Sequence, residues 1–409
     1  MHLISASTFV IFLLSLFLTA VSATDNGYYL YVSGYDGVVR SMALYLNSTI
    51  PRLEEIATSK DCGKNPSWFA IFRDNRTMIC LDEGFSGNGS VNYLEIGPAH
   101  DLKLLDSSPH DKSPVHAQIF QSRVFVSFFG GPPGTHTPGG IQLYDIVDNK
   151  LTTARPWVNW SGPNTTSNIP QQDVPRAHGA FLDTLERNIV VMDYGKDGIR
   201  TFTSNGPNST NSTFEPVNFS SLPKGSGPRH AIFSVDANKE VNRLYVLSEL
   251  ANTITTFEAT YDDKKVLHLS PPIHVISTFG RNATTEQMTY GKAAEIQGHN
   301  QFIVVSNRNA TIDGPGVFME SDSLVTFRIT ADGSLDFVQS VAVGGLFPRS
   351  FSISPRGDKV AVAAQTSSRL IILRRDPVSG WIGPIIASHN FDTKVDGKPA
   401  GVSAVIWDT

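Results

Sequence analysis

The chain has 409 residues, 40% of them hydrophobic, enough to bury a large core. Only 17% are charged and the formal net charge is -5, which excludes a general electrostatic attraction to nucleic acid or to an anionic membrane surface. Any anion-binding site must therefore be built locally.

Residues 1–23 read as a signal peptide. Phe9–Leu18 is an apolar run, Val21-Ser22-Ala23 fits a cleavage site, and the run is shorter than the roughly 20 residues that span a bilayer. No later stretch reads as a transmembrane segment and no apolar tail suggests a lipid anchor. The expected product is a secreted chain of residues 24–409, extracellular or held at the cell wall. Ten N-x-S/T triplets agree with that route as glycosylation sites: Asn47, Asn75, Asn88, Asn159, Asn164, Asn208, Asn211, Asn218, Asn282 and Asn309. Cys62 and Cys80 are the only cysteines. In an oxidising compartment they are expected to form a disulfide, with two buried thiols as the alternative.

Short strand-like runs follow in order. Tyr28–Ser33 and Val38–Leu44 flank a Gly-Tyr-Asp-Gly turn. Pro66–Phe72 then pairs in pattern with Thr77–Leu81, Pro114–Phe120 with Arg123–Phe129, and Arg176–Leu182 with Asn188–Tyr194 and Gly198–Phe202. The clearest unit is Gly227–Phe257, with runs at His230–Val235, Arg243–Leu250 and Thr253–Phe257 separated by Asp/Asn/Lys turns. Ala294–Ile296, Gln301–Arg308 and Leu324–Ile329 repeat it, as do Pro348–Ile353, Lys359–Ala364 and Arg369–Leu373. Ala400–Trp407 resembles a first strand with nothing after it.

Aligning Trp68, His116, His178, His230, Glu295, Ser350 and Ser403 gives steps of 48, 62, 52, 65, 55 and 53 residues. A strand-only repeat of this period predicts a β-propeller. The last first-strand complements the first hairpin, which lacks one. The fold class is therefore all-β, a single seven-bladed propeller over 24–409 closed by pairing of the N- and C-terminal strands, which removes exposed sheet edges. Gly130–Gly140, Trp157–Asp173 and Thr203–Gly227 read as loops.

No nucleophile elbow, P-loop, zinc-protease motif or EF-hand is found, so neither a metal nor a cofactor is indicated. The candidates are polar residues at equivalent points of successive repeats, which converge at a propeller's hub: His178, Arg229, His230, Glu249, Glu295, Arg308 and Arg349, with Gln365 at a matching strand end. One reading is an ion network that ties the blades together. The other is a net-positive pocket whose arginines grip a small anionic ligand, a di- or tricarboxylate or a lactone. His110, His116 and His136 read as solvated or turn-capping residues, and Asp193 and Asp197 as turn formers.

Gly227-Pro228-Arg229-His230, Leu247-Ser248-Glu249-Leu250, Ser306-Asn307-Arg308 and Pro348-Arg349-Ser350-Phe351 resemble the seven-bladed propeller lactonase family over nearly the whole mature chain. Within it they look closest to the fungal 3-carboxymuconate cyclases, which interconvert 3-carboxy-cis,cis-muconate and its γ-lactone without metal or cofactor. The resemblance implies catalytic roles for His178, Arg229, Glu249 and Arg308. It implies an intramolecular lyase in which Arg229 and Arg308 hold carboxylates and His178 or Glu249, tuned near working pH, delivers a proton. His230, Glu295, Arg349 and Gln365 are expected to bind substrate. Two alternatives stand beside it. One is lactone hydrolysis of the 6-phosphogluconolactonase type. The other is a non-catalytic surface glycoprotein, an adhesin or antigen with a cell-surface or host partner.

Overall fold

The computed structural model describes residues 27–46, 50–85, 88–153, 158–160, 169–204, 214–236, 240–281, 283–311, 320–391, 394–395, 398–399 and 401–408. The expected signal peptide lies outside them, as do Asn47, Asn164, Asn208, Asn211 and Asn282 and the side chain of Asn159. Among the described residues, seven antiparallel sheets of four main strands form a ring. Blade one runs Pro66–Phe72, Thr77–Asp82, Gly89–Ile96 and Leu102–His110, from the hub outward. Blades two to six open with Pro114–Phe120, Ala177–Leu182, Pro228–Val235, Lys292–His299 and Pro348–Ile353. Blade seven takes its inner strand, Val402–Trp407, from the end of the chain and its other three, Tyr28–Gly34, Val38–Tyr45 and Arg52–Ser59, from the beginning.

The ring is closed in register, with Leu30 opposite Trp407 and Val32 opposite Val405. Val402–Trp407 touches the inner strands of both blade six and blade one. Just beyond it, the Asp408 carboxylate accepts from Arg76 (2.8 Å) and from the Tyr31 hydroxyl (3.1 Å), and it pairs with His100 Nδ1 (2.8 Å). Seven apolar clusters form the core, one at each interface between neighbouring blades. This follows from the strands themselves, which bury both faces and read as near-continuous apolar runs such as Ile189–Met192 and Ala361–Ala364.

Two expectations are corrected. Glu215–Ser221 is a strand, not loop, and pairs with Gly198–Thr203 as the outer strand of blade three. It was invisible because an outer strand is exposed and polar, and nearly every residue of this one faces water. A six-residue helix, Thr285–Tyr290, occupies the connection into blade five, started by a capping box between Thr284 and Gln287. The repeat alignment also shifts by one residue at two points. Each inner strand carries a register shift near its start, after the first paired residue in six blades, as between Pro228 and His230 or Pro348 and Ser350, and after the second, Ala293, in blade five. Ala177 opposes Asp193 as Pro228 opposes Ser248. His178 therefore corresponds to Arg229 and Arg349, not to His116 and His230, and Ser403 moves with it. The bulge is what turns these side chains toward the hub opening.

Cys62 and Cys80 form a disulfide, with Cα atoms 5.7 Å apart and a separation of 18 positions in sequence. It ties the connection from blade seven to the second strand of blade one. Replacing both with alanine is expected to cost ~3 kcal/mol by releasing that loop in the unfolded chain. Urea unfolding of the double variant checks it, and an unchanged midpoint would contradict it.

Candidate active site at the hub

The site is built from two recurring positions. One is the bulge at the start of the inner strand, which supplies His178, Arg229 and Arg349. The other is the residue that ends or directly follows the second strand. Its amide donates to the chain entering the inner strand, as Glu249 does to Gly227 (2.8 Å) and Gln365 to Phe347 (2.8 Å). Around the ring this position presents Tyr35, Glu83, Phe129, Tyr194, Glu249, Arg308 and Gln365. Glycine is required twice. A Cβ on Gly179 would lie 2.7 Å from the Arg229 carbonyl oxygen, and Gly227 has φ +58°.

The predicted charged residues come together. Glu249 Oε2 pairs with Arg229 Nε at 3.1 Å and with Arg308 Nη2 at 3.0 Å. Arg229 Nη1 also donates to the Ala294 carbonyl and faces the His230 ring. Arg308 donates to the carbonyls of Lys292 (3.1 Å) and Ala293 (3.2 Å), and its guanidinium sits 4.9 Å from the centre of the Phe347 ring. His230 Nδ1 and Glu295 Oε1 are 3.1 Å apart, while Glu295 Oε2 has no hydrogen-bond partner among the described residues. His178 packs among Phe129, Tyr194 and His230, with ring centres 6.0, 6.3 and 5.0 Å away. Its buried Nδ1 also has no partner. Gln365 is half-buried. Among the described residues no hydrogen bond joins its side chain to the cluster.

Four lining residues were missed: Tyr35, Glu83, Phe129 and Tyr194. Arg349 Nη2 pairs with Glu83 Oε2 at 2.9 Å, and its guanidinium lies 5.9 Å from the Tyr35 ring centre. The position at the end of each second strand, which marks Glu249, Arg308 and Gln365 in the sequence, marks these four as well. His116 is a correction. It is buried, accepts from the Ala180 amide at Nδ1 (3.2 Å) and packs on Trp68, Phe181 and His230, so these rings floor the hub. Its place early in the inner strand, two residues after Pro114, puts it inside the channel and not in a loop. His110 likewise lies in an outer strand, against Phe128, whereas His136 is exposed in a loop. Asp193 and Asp197 cap turns as expected, accepting from Lys196 and Gly225 amides.

Burial decides which groups carry charge. It pushes His116, His178 and His230 well below the usual histidine range, reinforced by Arg229, so all three are neutral at pH 7. It pushes Glu295 up to about 8 against the pull of Arg229. For Glu249 burial is outweighed by Arg308 and Arg229, which hold it below the ordinary glutamate range. Burial and the facing Arg308 and Arg349 lower Arg229 to about 10, still charged at neutrality. The expectation that His178 or Glu249 titrates near working pH is therefore corrected: His178 is a neutral imidazole and Glu249 an anion. Three guanidinium groups face two paired carboxylates, Glu249 and Glu83, leaving the hub with one positive charge in excess. Among the described residues no group of histidine, cysteine or carboxylate side chains is arranged to hold a metal.

These shifts predict a stability maximum. The histidines bind protons only when unfolded, so their contribution is present above pH 6.5 and lost as pH falls below it. Glu295 keeps its proton only when folded, so its contribution is complete below about 4.5 and lost as pH rises through 8. Unfolding free energy should climb from pH 4.5 to 6.5 and then fall by about 2 kcal/mol to pH 8. Glu295→Gln should flatten the upper slope in urea titrations; an unchanged slope would assign it to other groups.

Comparison with known proteins agrees with this architecture. Residues 23–398 match the family described as Lactonase, 7-bladed beta-propeller. A 6-phosphogluconolactonase of Formosa agariphila is 24% identical over 323 residues, 77% of this chain and 83% of its own length. A probable 6-phosphogluconolactonase of Arthroderma benhamiae is 23% identical over 322 residues, 78% of this chain and 76% of its own. The periplasmic gluconolactonase PpgL of Pseudomonas aeruginosa superposes with a TM-score of 0.73 at 21% identity, covering 94% of this chain and 99% of that one. With its seven blades closed by a shared first-and-last sheet and a match over most of its length, the chain belongs to the seven-bladed β-propeller lactonase family.

Proposed function

We propose that the hub is an active site that hydrolyses a lactone bearing an anionic group. The observation that carries this reading is His178, a neutral, buried imidazole with an unpartnered Nδ1 beside the arginine cluster. The lactonase names of the relatives support the same reaction class. Water adds to the lactone carbonyl carbon while His178 Nδ1 takes one of its protons. Negative charge builds on the carbonyl oxygen, where Arg229 and Arg308, held rigid by Glu249, stabilise it. The bond from that carbon to the ring oxygen breaks, and His178 returns its proton to the departing oxygen. One water is consumed, a hydroxy acid leaves, and no cofactor enters the balance. Arg349 holds the anionic group. An anion there offsets the arginines that suppress protonation of His178, so the base strengthens when substrate is bound.

Turnover in ¹⁸O-labelled water tests this. The hydroxy acid should carry one solvent oxygen in its carboxylate and, in D₂O, no deuterium on carbon. A second reading is favoured by the aromatic wall of Phe129, Tyr194 and Phe347, which suits a flat unsaturated acid. In it a carboxylate of 3-carboxy-cis,cis-muconate adds across a double bond and the neighbouring carbon takes a proton. Solvent deuterium on carbon, without solvent oxygen, would replace the first reading with this one. An extracellular address belongs to the same proposal. It rests on the N-terminal apolar run and on sequons of which Asn75, Asn88, Asn218 and Asn309 are exposed, and mass loss on deglycosylation of the natively produced protein tests it.

A further inference from the structure

Of the three hub arginines, Arg349 is the most open to a ligand's anionic group. Its side chain is 15% exposed, against 4% for Arg229 and 6% for Arg308. Those two are also committed, to Glu249 and to the main-chain carbonyls of Ala294, Lys292 and Ala293. The Arg349 side chain makes one hydrogen bond among the described residues, from Nη2 to Glu83 Oε2 at 2.9 Å, which leaves its remaining donors for a ligand. The two residues are 266 positions apart and belong to blades six and one, so this pair reaches past blade seven and its Tyr35 ring.

Glu83 is held with unusual firmness. Its amide donates to the Asn65 carbonyl at 3.0 Å. The preceding Asp82 carboxylate accepts from the amides of Lys64 (3.0 Å), Asn65 (2.9 Å) and Gly84 (3.1 Å). Three residues before Glu83, Cys80 is cross-linked to Cys62, and the Asn92 side-chain amide bridges the carbonyls of both cysteines at 3.3 and 3.0 Å. The chain's one disulfide thus straps down the segment that carries Glu83. A free glutamate would not need this. A glutamate whose carboxylate must stay in one place does, because a long side chain tethered by mobile backbone loses several rotamers' worth of entropy on pairing.

We infer that Glu83 is a positioning residue: strapped by the Cys62–Cys80 segment, it fixes the Arg349 guanidinium so that its free donors grip the anionic group of the substrate. This rests on the reading of the hub as an anion-binding active site. Charge and position pull in opposite directions here, which makes the two separable. Removing a negative charge beside an anion site tightens anion binding by Coulomb attraction alone. Losing the anchor of the guanidinium loosens it.

Citrate serves as the anion probe, titrated calorimetrically at constant ionic strength into the wild type, Glu83→Ala, Glu83→Gln and Arg349→Gln, each verified as folded by circular dichroism. Glu83→Ala is expected to weaken citrate binding about tenfold, the loss of one charge-assisted contact. Glu83→Gln keeps an acceptor for Nη2 and drops the charge, so it should bind citrate as well as the wild type or better. Glu83→Ala binding as tightly as the wild type, or more tightly, overturns the positioning role. Arg349→Gln should abolish binding. If it leaves the affinity unchanged, citrate sits elsewhere, and it is the anion-binding reading of the hub that falls.

Discussion

Arg229→Ala is expected to lower kcat/KM on a lactone substrate by about a thousandfold while leaving the fold intact. The side chain is buried, pairs with Glu249 at 3.1 Å and donates to the Ala294 carbonyl of the next blade, so its guanidinium cannot drift. A fixed donor aimed at developing negative charge is worth about 10²–10³ in rate. Its removal also takes one of the two cations that hold Glu249. Arg229→Lys should restore little, because one ammonium cannot meet Glu249, Ala294 and substrate at once. Steady-state kinetics beside thermal melts measure both halves, and wild-type turnover in the alanine variant would remove Arg229 from the mechanism.

The second large effect concerns ring closure. Trp407→Ala is expected to destabilise the protein by about 3–5 kcal/mol. Trp407 is almost fully buried, pairs with Leu30 in the shared blade and donates from Nε1 to the Ser352 carbonyl at 2.8 Å. It therefore joins the last strand to blade six as well as to the first hairpin. Deleting residues 402–409 should go further. Tyr28–Gly34 would become an open inner edge, and the Asp408 contacts to Tyr31, Arg76 and His100 would be lost. The truncated chain should aggregate instead of unfolding cooperatively, as seen by gel filtration and urea titration. A wild-type midpoint in either variant would show that closure contributes little.

The sequence alone determined the architecture. Alternating apolar runs between Asn/Asp turns identify strands because side chains alternate across a sheet, and that rule is local. The repeat interval then counts blades, and the unpaired strands at the two ends announce their own pairing. The same logic brought Arg229, Glu249, Arg308 and Arg349 to one hub, since equivalent positions in a ring converge. The tertiary structure alone decided the rest. A one-residue bulge moves His178 into line with Arg229 and Arg349, and it depends on strand register, which no local pattern records. Glu83 meets Arg349 only because the ring closes, across 266 residues of chain. Protonation is decided the same way. Glu249 stays an anion and Glu295 keeps its proton, although both are glutamates on neighbouring blades, because one faces two guanidinium groups and the other is buried beside a neutral imidazole. Charge in a protein interior is set by the surroundings of each group, and those exist only once the blades have packed.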